Sequence, residues 1–262
     1  MASSLISGLI NNDYSADKIT VTDTDHDKLH ELNRQFGVNT STDNIQAVST
    51  ADVIVLAIKP QVMHEICEQI KQEIVNKRPL IISIAAGIRS TDIDRWLGDN
   101  NALVRCMPNT PALIQAGATG LFANTNNSAS QKEIAEKILS SAGITLWVSE
   151  EAQLDAVTAV SGSGPAYFFL LIEAMQQAGV KLGLDADVAS QLARQTALGA
   201  ARMSVEGDDD PATLRTKVTS KGGTTAAAIA SFEQNQFSDI VEQALTAARD
   251  RATELADQLG SF

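Results

Sequence analysis

The distribution of apolar runs constrains this chain most. Between residues 18 and 150, short runs of aliphatic and β-branched residues alternate with amphipathic stretches, and beyond about residue 150 the strand-like runs stop. Val53-Ile54-Val55-Leu56-Ala57-Ile58 is continuously apolar and is closed by Lys59-Pro60, as expected of a strand buried on both faces. Leu80-Ile81-Ile82-Ser83-Ile84, ended by Ala85-Ala86-Gly87, and Ala102 to Met107, stopped by Pro108, read the same way. Lys18 to Thr22 reads as a further strand. Asp25 to Phe36 reads as a helix closed by Gly37. Gln61 to about Val75 reads as another, with Met63, Ile66, Ile70 and Ile74 on one face. Strand, helix, strand in this order predicts a parallel sheet with right-handed crossovers.

The later part of the chain predicts helices over 151–160, 165–178, 187–205, 224–232 and 237–259. Pro165 suits a first helical position and Gly179 a helix end. Ala189, Ala193, Ala197, Ala200 and Ala201 crowd one helix. Small side chains let helix axes approach, either inside one chain or across a dimer interface, and the sequence leaves both open. The expected fold is therefore an open α/β nucleotide-binding domain over residues 1–149, followed by an all-helical domain over residues 150–262.

Composition narrows the function. The net charge is −12 over 262 residues, which argues against nucleic acid and anionic membrane as partners. Aromatics are only 4%, too few for a base-stacking platform. The apolar runs Leu80 to Ile88 and Tyr167 to Ile172 fall short of membrane-spanning length. Met1-Ala2-Ser3-Ser4 has no basic region of the kind that opens a signal peptide. Cys67 and Cys106 stand apart, as in a chain of the reducing cytoplasm. His26 and His30 could share a helix face, but with no third ligand nearby they read as surface residues and no metal is expected.

A nucleotide-binding domain of this type opens with a strand, a glycine-rich turn and a helix whose N-terminus faces the pyrophosphate. Met1 to Leu9 reads as the body of that helix, and Lys18 to Thr22 then becomes the second strand, with the first strand and turn expected to be missing. Asp23 follows that strand directly. An acid there accepts hydrogen bonds from adenosine ribose hydroxyls and repels a 2′-phosphate, which leans toward NADH over NADPH. It could equally be a turn residue capping the next helix.

Four segments could carry chemistry. Leu56-Ala57-Ile58-Lys59-Pro60-Gln61 lies at a strand's carboxyl end, where open sheets bind ligands. Ser83-Ile84-Ala85-Ala86-Gly87 leaves room for a flat ring, or for close helix packing. In Arg105-Cys106-Met107-Pro108-Asn109-Thr110-Pro111 two prolines fix a rigid loop, and Asn109 offers a donor and an acceptor to a cofactor amide. Val218-Thr219-Ser220-Lys221-Gly222-Gly223-Thr224-Thr225 opens a helix. Its glycines and hydroxyls suit a carboxylate or phosphate, although Ser or Thr there could simply cap the helix.

The run from Pro211-Ala212-Thr213-Leu214 through Val218-Thr219-Ser220-Lys221-Gly222-Gly223-Thr224-Thr225-Ala226-Ala227-Ala228-Ile229 to Phe232-Glu233 resembles the signature of the pyrroline-5-carboxylate reductases. Ala57-Ile58-Lys59-Pro60, Ala85-Ala86-Gly87, Arg105 to Pro111 and Ser161-Gly162-Ser163-Gly164-Pro165-Ala166-Tyr167 are similar to that family's other landmarks, in the same order. Met1-Ala2 aligns with the end of the family's glycine-rich turn.

The resemblance implies a Rossmann-like domain and a helical dimerisation domain that together reduce 1-pyrroline-5-carboxylate to L-proline with NADPH or NADH. It places Ser220, Gly222, Gly223, Thr224 and Thr225 on the substrate, with the backbone N–H groups of Gly223 and Thr224 at its carboxylate and the Thr225 hydroxyl at its ring nitrogen. Glu151 and Asp208 match acidic positions near the substrate, and Asp208 could alternatively belong to a solvated loop with Asp209 and Asp210. Asn44, Ala57, Ile58, Lys59, Pro60, Ile84, Ala85, Ala86 and Asn109, with Asp23, match nucleotide-lining positions. Lys217 matches a side chain that reaches the dinucleotide from the partner subunit. The resemblance also implies a homodimer, or a larger ring of dimers.

Two other readings remain. A 3-hydroxyacid dehydrogenase of similar layout needs a general base, commonly a lysine four residues after a GxG, and here Phe168 stands in that position. The alternative outside enzymes is a folded dimer that, without a first strand and phosphate loop, catalyses nothing.

Overall fold

A computed structural model describes residues 1–260. It divides into two compact units, residues 1–163 with 247–260, and residues 164–246. In chain order the first unit holds α1 (Ala2–Asn11), β1 (Thr20–Thr22), α2 (His26–Phe36), β2 (Asn39–Ser41), α3 (Asn44–Thr50), β3 (Val53–Leu56), α4 (Met63–Lys77), β4 (Leu80–Ser83), α5 (Ser90–Trp96), β5 (Leu103–Met107), β6 (Gly117–Ala123), α6 (Ala129–Ser140), β7 (Gly143–Trp147) and α7 (Gln153–Val157). Next come α8 (Gly164–Lys181), α9 (Ala186–Glu206), α10 (Pro211–Lys217), α11 (Thr224–Gln234) and α12 (Phe237–Leu259), whose last turns count with the first unit.

Alternation along the strands explains the layering of the first unit. Leu80 and Ile82 of β4, with Val104 and Cys106 of β5, pack with Leu5 of α1 and Ala135 and Leu139 of α6. Ile81 and Leu103 point the other way, onto Met63, Ile70 and Ile74 of α4 and Ile93 and Trp96 of α5. Successive side chains of a strand face opposite sides, so one sheet supports helices on both. Each large aliphatic side chain buried this way contributes about 1.5–3 kcal/mol.

The sheet is mixed rather than wholly parallel. Strands β3, β4 and β5 are parallel, β6 runs antiparallel to β5, and β7 pairs parallel with β6. The strands β1 and β2 form a separate parallel pair. Strand ends also differ from the sequence expectation. The strand expected over 53–58 stops at Leu56, and a short 3-10 turn, Pro60–Val62, precedes α4. The helix expected over 151–160 is α7 continued by a π-helical turn, Thr158–Gly162.

In the second unit, Ala189 and Ala193 of α9 are buried, and a side chain added at Gly179 of α8 would meet the Ala189 methyl. Close packing within the chain therefore accounts for these two alanines. Phe168, Phe169, Leu170, Leu192, Leu198 and Met203 are all exposed. The continuous helical stretch Gln153–Lys181 is long and apolar enough to cross a membrane by length and composition, which the short apolar runs of the sequence did not suggest.

Candidate active site

In the first unit, parallel pairing of β3 with β4 sets Leu56 opposite Ser83, so the segments that follow them lie side by side. The Ile84 N–H donates to the Leu56 carbonyl at 3.2 Å and ties the two together. Ala57, Ile58, Lys59 and Pro60 thus join Ile84, Ala85 and Ala86 at the carboxyl edge of the sheet, where parallel sheets bind ligands. Ala57, Lys59 and Ala86 are exposed, Ile58, Pro60 and Ile84 half-buried, and Ala85 buried.

The start of α1 suits an anion. Its N-cap, Met1, makes no side-chain cap bond, and Ser4, in the first turn, is buried with a hydroxyl that has no partner. Unpaired N–H groups at a helix start attract negative charge. The start of α1 and segment 84–87 are the parts of the first unit whose chemistry could hold a dinucleotide.

Asp23 follows β1 at its carboxyl end. Its carboxylate accepts the Asp25 N–H at 2.9 Å and lies 3.8 Å from the Lys28 ammonium. It does serve as a turn residue, and Lys28 offsets the charge that would repel a 2′-phosphate. The capping carboxylate of α2 is Asp25, held below its usual carboxylate range chiefly by the Lys28 N–H. Asn44 begins α3 and donates to Gln69 of α4 at 2.9 Å.

Asn109 is used structurally at both ends of its amide. It donates to the Ser161 carbonyl at 3.0 Å and accepts the Ala118 N–H at 2.9 Å, joining the β5–β6 loop to the π-helical turn. That turn packs closely: a side chain on Gly162 would strike Met107. Burial pushes the Cys67 thiol up to about 12 and raises the Cys106 thiol too, so neither is a nucleophile.

Glu151 lies on the first unit. It accepts the Ser90 N–H and the Ser90 hydroxyl, each at 2.6 Å, and pairs with the buried Arg105 at 3.1 Å. Both residues line an open cavity of about 320 Å³ with Arg89, Asp155, Arg249 and Thr253. The charges of that cavity are already matched within the chain, Arg89 to Asp257, Arg249 to Asp250 and Asp155 to the Thr253 hydroxyl.

In the second unit, α11 starts at Gly223, and no side chain caps it. The capping alternative for Ser220, Thr224 and Thr225 therefore does not describe this helix, whereas Asp25, Asp43, Ser128 and Asp210 do cap α2, α3, α6 and α10. Gly222 has φ +73, a conformation that glycine adopts without strain. At Gly223 a side chain would collide with the Ser220 hydroxyl. The Gly223 N–H already donates to the Ser220 carbonyl at 3.1 Å. Thr224 and Thr225 follow in the first turn of the helix, whose opening N–H groups have no partner within the helix. Thr225 is half-buried.

Asp208 is exposed, while its neighbours have structural work: Asp209 pairs with Lys217 at 2.5 Å and Asp210 caps α10. Among the described residues no cluster of metal-ligating side chains occurs.

Two family profiles match this chain. Residues 151–255 fit the profile described as pyrroline-5-carboxylate reductase dimerisation, and residues 1–87 the profile described as NADP oxidoreductase, coenzyme F420-dependent. The chain is 51% identical to a pyrroline-5-carboxylate reductase of Pseudomonas aeruginosa over 99% of its own length and 95% of that protein's. It belongs to the pyrroline-5-carboxylate reductase family.

A second relative of that name, from Vibrio alginolyticus, is 43% identical over 97% of this chain and 94% of its own length. The structure of the reductase from Coxiella burnetii superposes with a TM-score of 0.94 at 45% identity, covering 97% of this chain and 94% of that one. The Plasmodium falciparum pyrroline carboxylate reductase with NADP bound gives 0.84 at 30% identity, with the same coverage. Family membership and the nucleotide-binding unit followed by helices agree with the fold class expected from sequence.

Proposed function

We propose that this chain reduces the C=N bond of 1-pyrroline-5-carboxylate to give L-proline, using NADPH or NADH. The observation that carries the substrate assignment is the uncapped start of α11, where Ser220, Gly222 and Gly223 leave the N–H groups of Thr224 and Thr225 without a side-chain partner. A substrate carboxylate is the complement of such a helix start.

A reduced nicotinamide, when bound, supplies the hydride. The chain contributes position. The segments after β3 and β4 hold the dinucleotide through Ala57, Ile58, Lys59, Pro60, Ile84, Ala85 and Ala86, with Asp23, Asn44 and the start of α1 at its adenosine and phosphate end. The Thr225 hydroxyl hydrogen-bonds the ring nitrogen. A protonated imine is already electrophilic, so no nucleophile, metal or general base is needed, in keeping with the unreactive buried thiols. Asn109 shapes the loop beneath the ring through its ties to Ser161 and Ala118. Asp208 and Lys217 act at the rim, and Lys217 would have to leave Asp209 to reach a nucleotide.

The exposed apolar residues of α8 and α9 form the surface of a homodimer. A larger ring of dimers would need a second, separate surface. Two free, buried cysteines suit the cytoplasm.

Reduction with NADPH and, separately, with NADH, each dideuterated at C4, tests the reaction itself. Deuterium on the proline δ-carbon supports the assignment. Proline without label there, or no proline at all, overturns it.

A further inference from the structure

The segment 84–89 carries Ile84, Ala85 and Ala86, and it is bounded by Ser83 at the end of β4 and Ser90 at the start of α5. One carboxylate reaches Ser90 directly and the strand beside Ser83 through Arg105. Glu151 Oε1 accepts the Ser90 N–H and Oε2 accepts the Ser90 hydroxyl, each at 2.6 Å. Oε1 also takes Arg105 Nη1 at 3.1 Å, and Arg105 is the β5 residue paired with Ser83. The cluster is shielded, with side-chain exposure of 6% for Arg105 and 18% for Glu151. The Arg89–Asp257 pair nearby is far more exposed and holds the segment weakly by comparison. At Gly87, φ +73 suits glycine, and a side chain there would touch Leu255 and Leu259 of α12, so the segment runs beside that helix.

We infer that Glu151 is a positioning residue for the dinucleotide: it latches segment 84–89 between Ser90 and Arg105 and sets where Ala85 and Ala86 stand. The inference rests on the cofactor reading of that segment. It departs from the role implied by resemblance, an acid near the substrate, because both carboxylate oxygens are spent within the chain. A misplacement of about 1 Å in a positioning element costs on the order of 100-fold in a reaction governed by alignment.

Glu151→Ala strands the buried Arg105 and could unfold the chain. The test therefore uses Glu151→Gln and Ser90→Ala in the full chain, each checked by thermal melting. Hydrogen–deuterium exchange across 84–92 reads the latch without cofactor. Fluorescence titration with NADPH reads dinucleotide affinity, and steady-state kinetics read the KM for pyrroline-5-carboxylate. The expected result is faster exchange confined to 84–92 in both variants and NADPH affinity weakened about tenfold, with that KM unchanged. Their double variant should be no worse than Glu151→Gln alone, because the two side chains act through one contact. Unchanged exchange overturns the latch. A raised KM for pyrroline-5-carboxylate in Glu151→Gln, with Ser90→Ala silent, overturns it in favour of direct substrate contact. If the parent chain shows no reductase activity the function falls, while the exchange result still decides the latch.

Discussion

Thr225 stands in the first turn of a helix that begins on glycine, and that setting decides what its hydroxyl is for. With no cap to make, it is available to a ligand. Thr225→Ala is expected to lower kcat on the order of 100-fold while the melting temperature stays at the parent value, since the change removes one hydrogen bond to the reacting group. Steady-state kinetics beside a melting curve check this, and unchanged turnover would remove Thr225 from the mechanism. Gly8 shows the opposite kind of residue. A methyl group there would overlap the Ser141 carbonyl, where α1 meets the end of α6. Gly8→Ala should destabilise the chain by about 1–3 kcal/mol in urea unfolding, because overpacking outweighs the gain in helix propensity. The glycines and hydroxyls at 218–225 were legible in sequence because they break a helical pattern in a way packing does not require. The contact of Glu151 with Ser90 and Arg105 was not, since it joins positions far apart in the chain and leaves no local trace.

The elements differ in how plainly the sequence announces them. Strand β4 is fully buried, and its apolar run was readable; β3 carries the same kind of run, yet it is an end strand of the five-stranded sheet and only Leu56 is buried, with Val53, Ile54 and Val55 half-buried. Strand β6 reads Gly-Ala-Thr-Gly-Leu-Phe-Ala, and its small residues, one of them pressed against Val157, disguise it as a loop. Helix α6 was missed although Ser128 and Gln131 form a capping box, a signal visible in the sequence. Helix α10 starts at Asp210, whose carboxyl is held below the usual range by the Thr213 N–H and hydroxyl. Because the folded carboxyl is the stronger acid, its stabilisation is complete above the ordinary carboxylate pKa of about 3.9 and is lost as pH falls through the lower folded value. Protection factors in 211–217 should therefore fall on acidification through that lower value, and Asp210→Ala should show the lower protection already at neutral pH. Equal protection in parent and variant at neutral pH would show that the cap contributes nothing.

For the molecule as a whole, the second unit exposes large apolar side chains, among them Phe168, Leu192 and Leu198, on a stretch that matches a dimerisation profile. Replacing Leu192 and Leu198 with Glu should shift the chain to monomer in sedimentation and abolish activity. A dimer that survives the double change would place its interface elsewhere. The return of the α12 C-terminal turns to the first unit was invisible in sequence, where that helix simply continues a helical run. Helix type is encoded locally, whereas the layer a helix joins depends on tertiary contacts such as Arg89 with Asp257. Imine reduction is read most directly as loss of NADPH or NADH absorbance when the purified chain is mixed with pyrroline-5-carboxylate. An imine reductase gives oxidation that depends on this substrate and saturates with it. A folded dimer that oxidises neither nucleotide in its presence would contradict that activity.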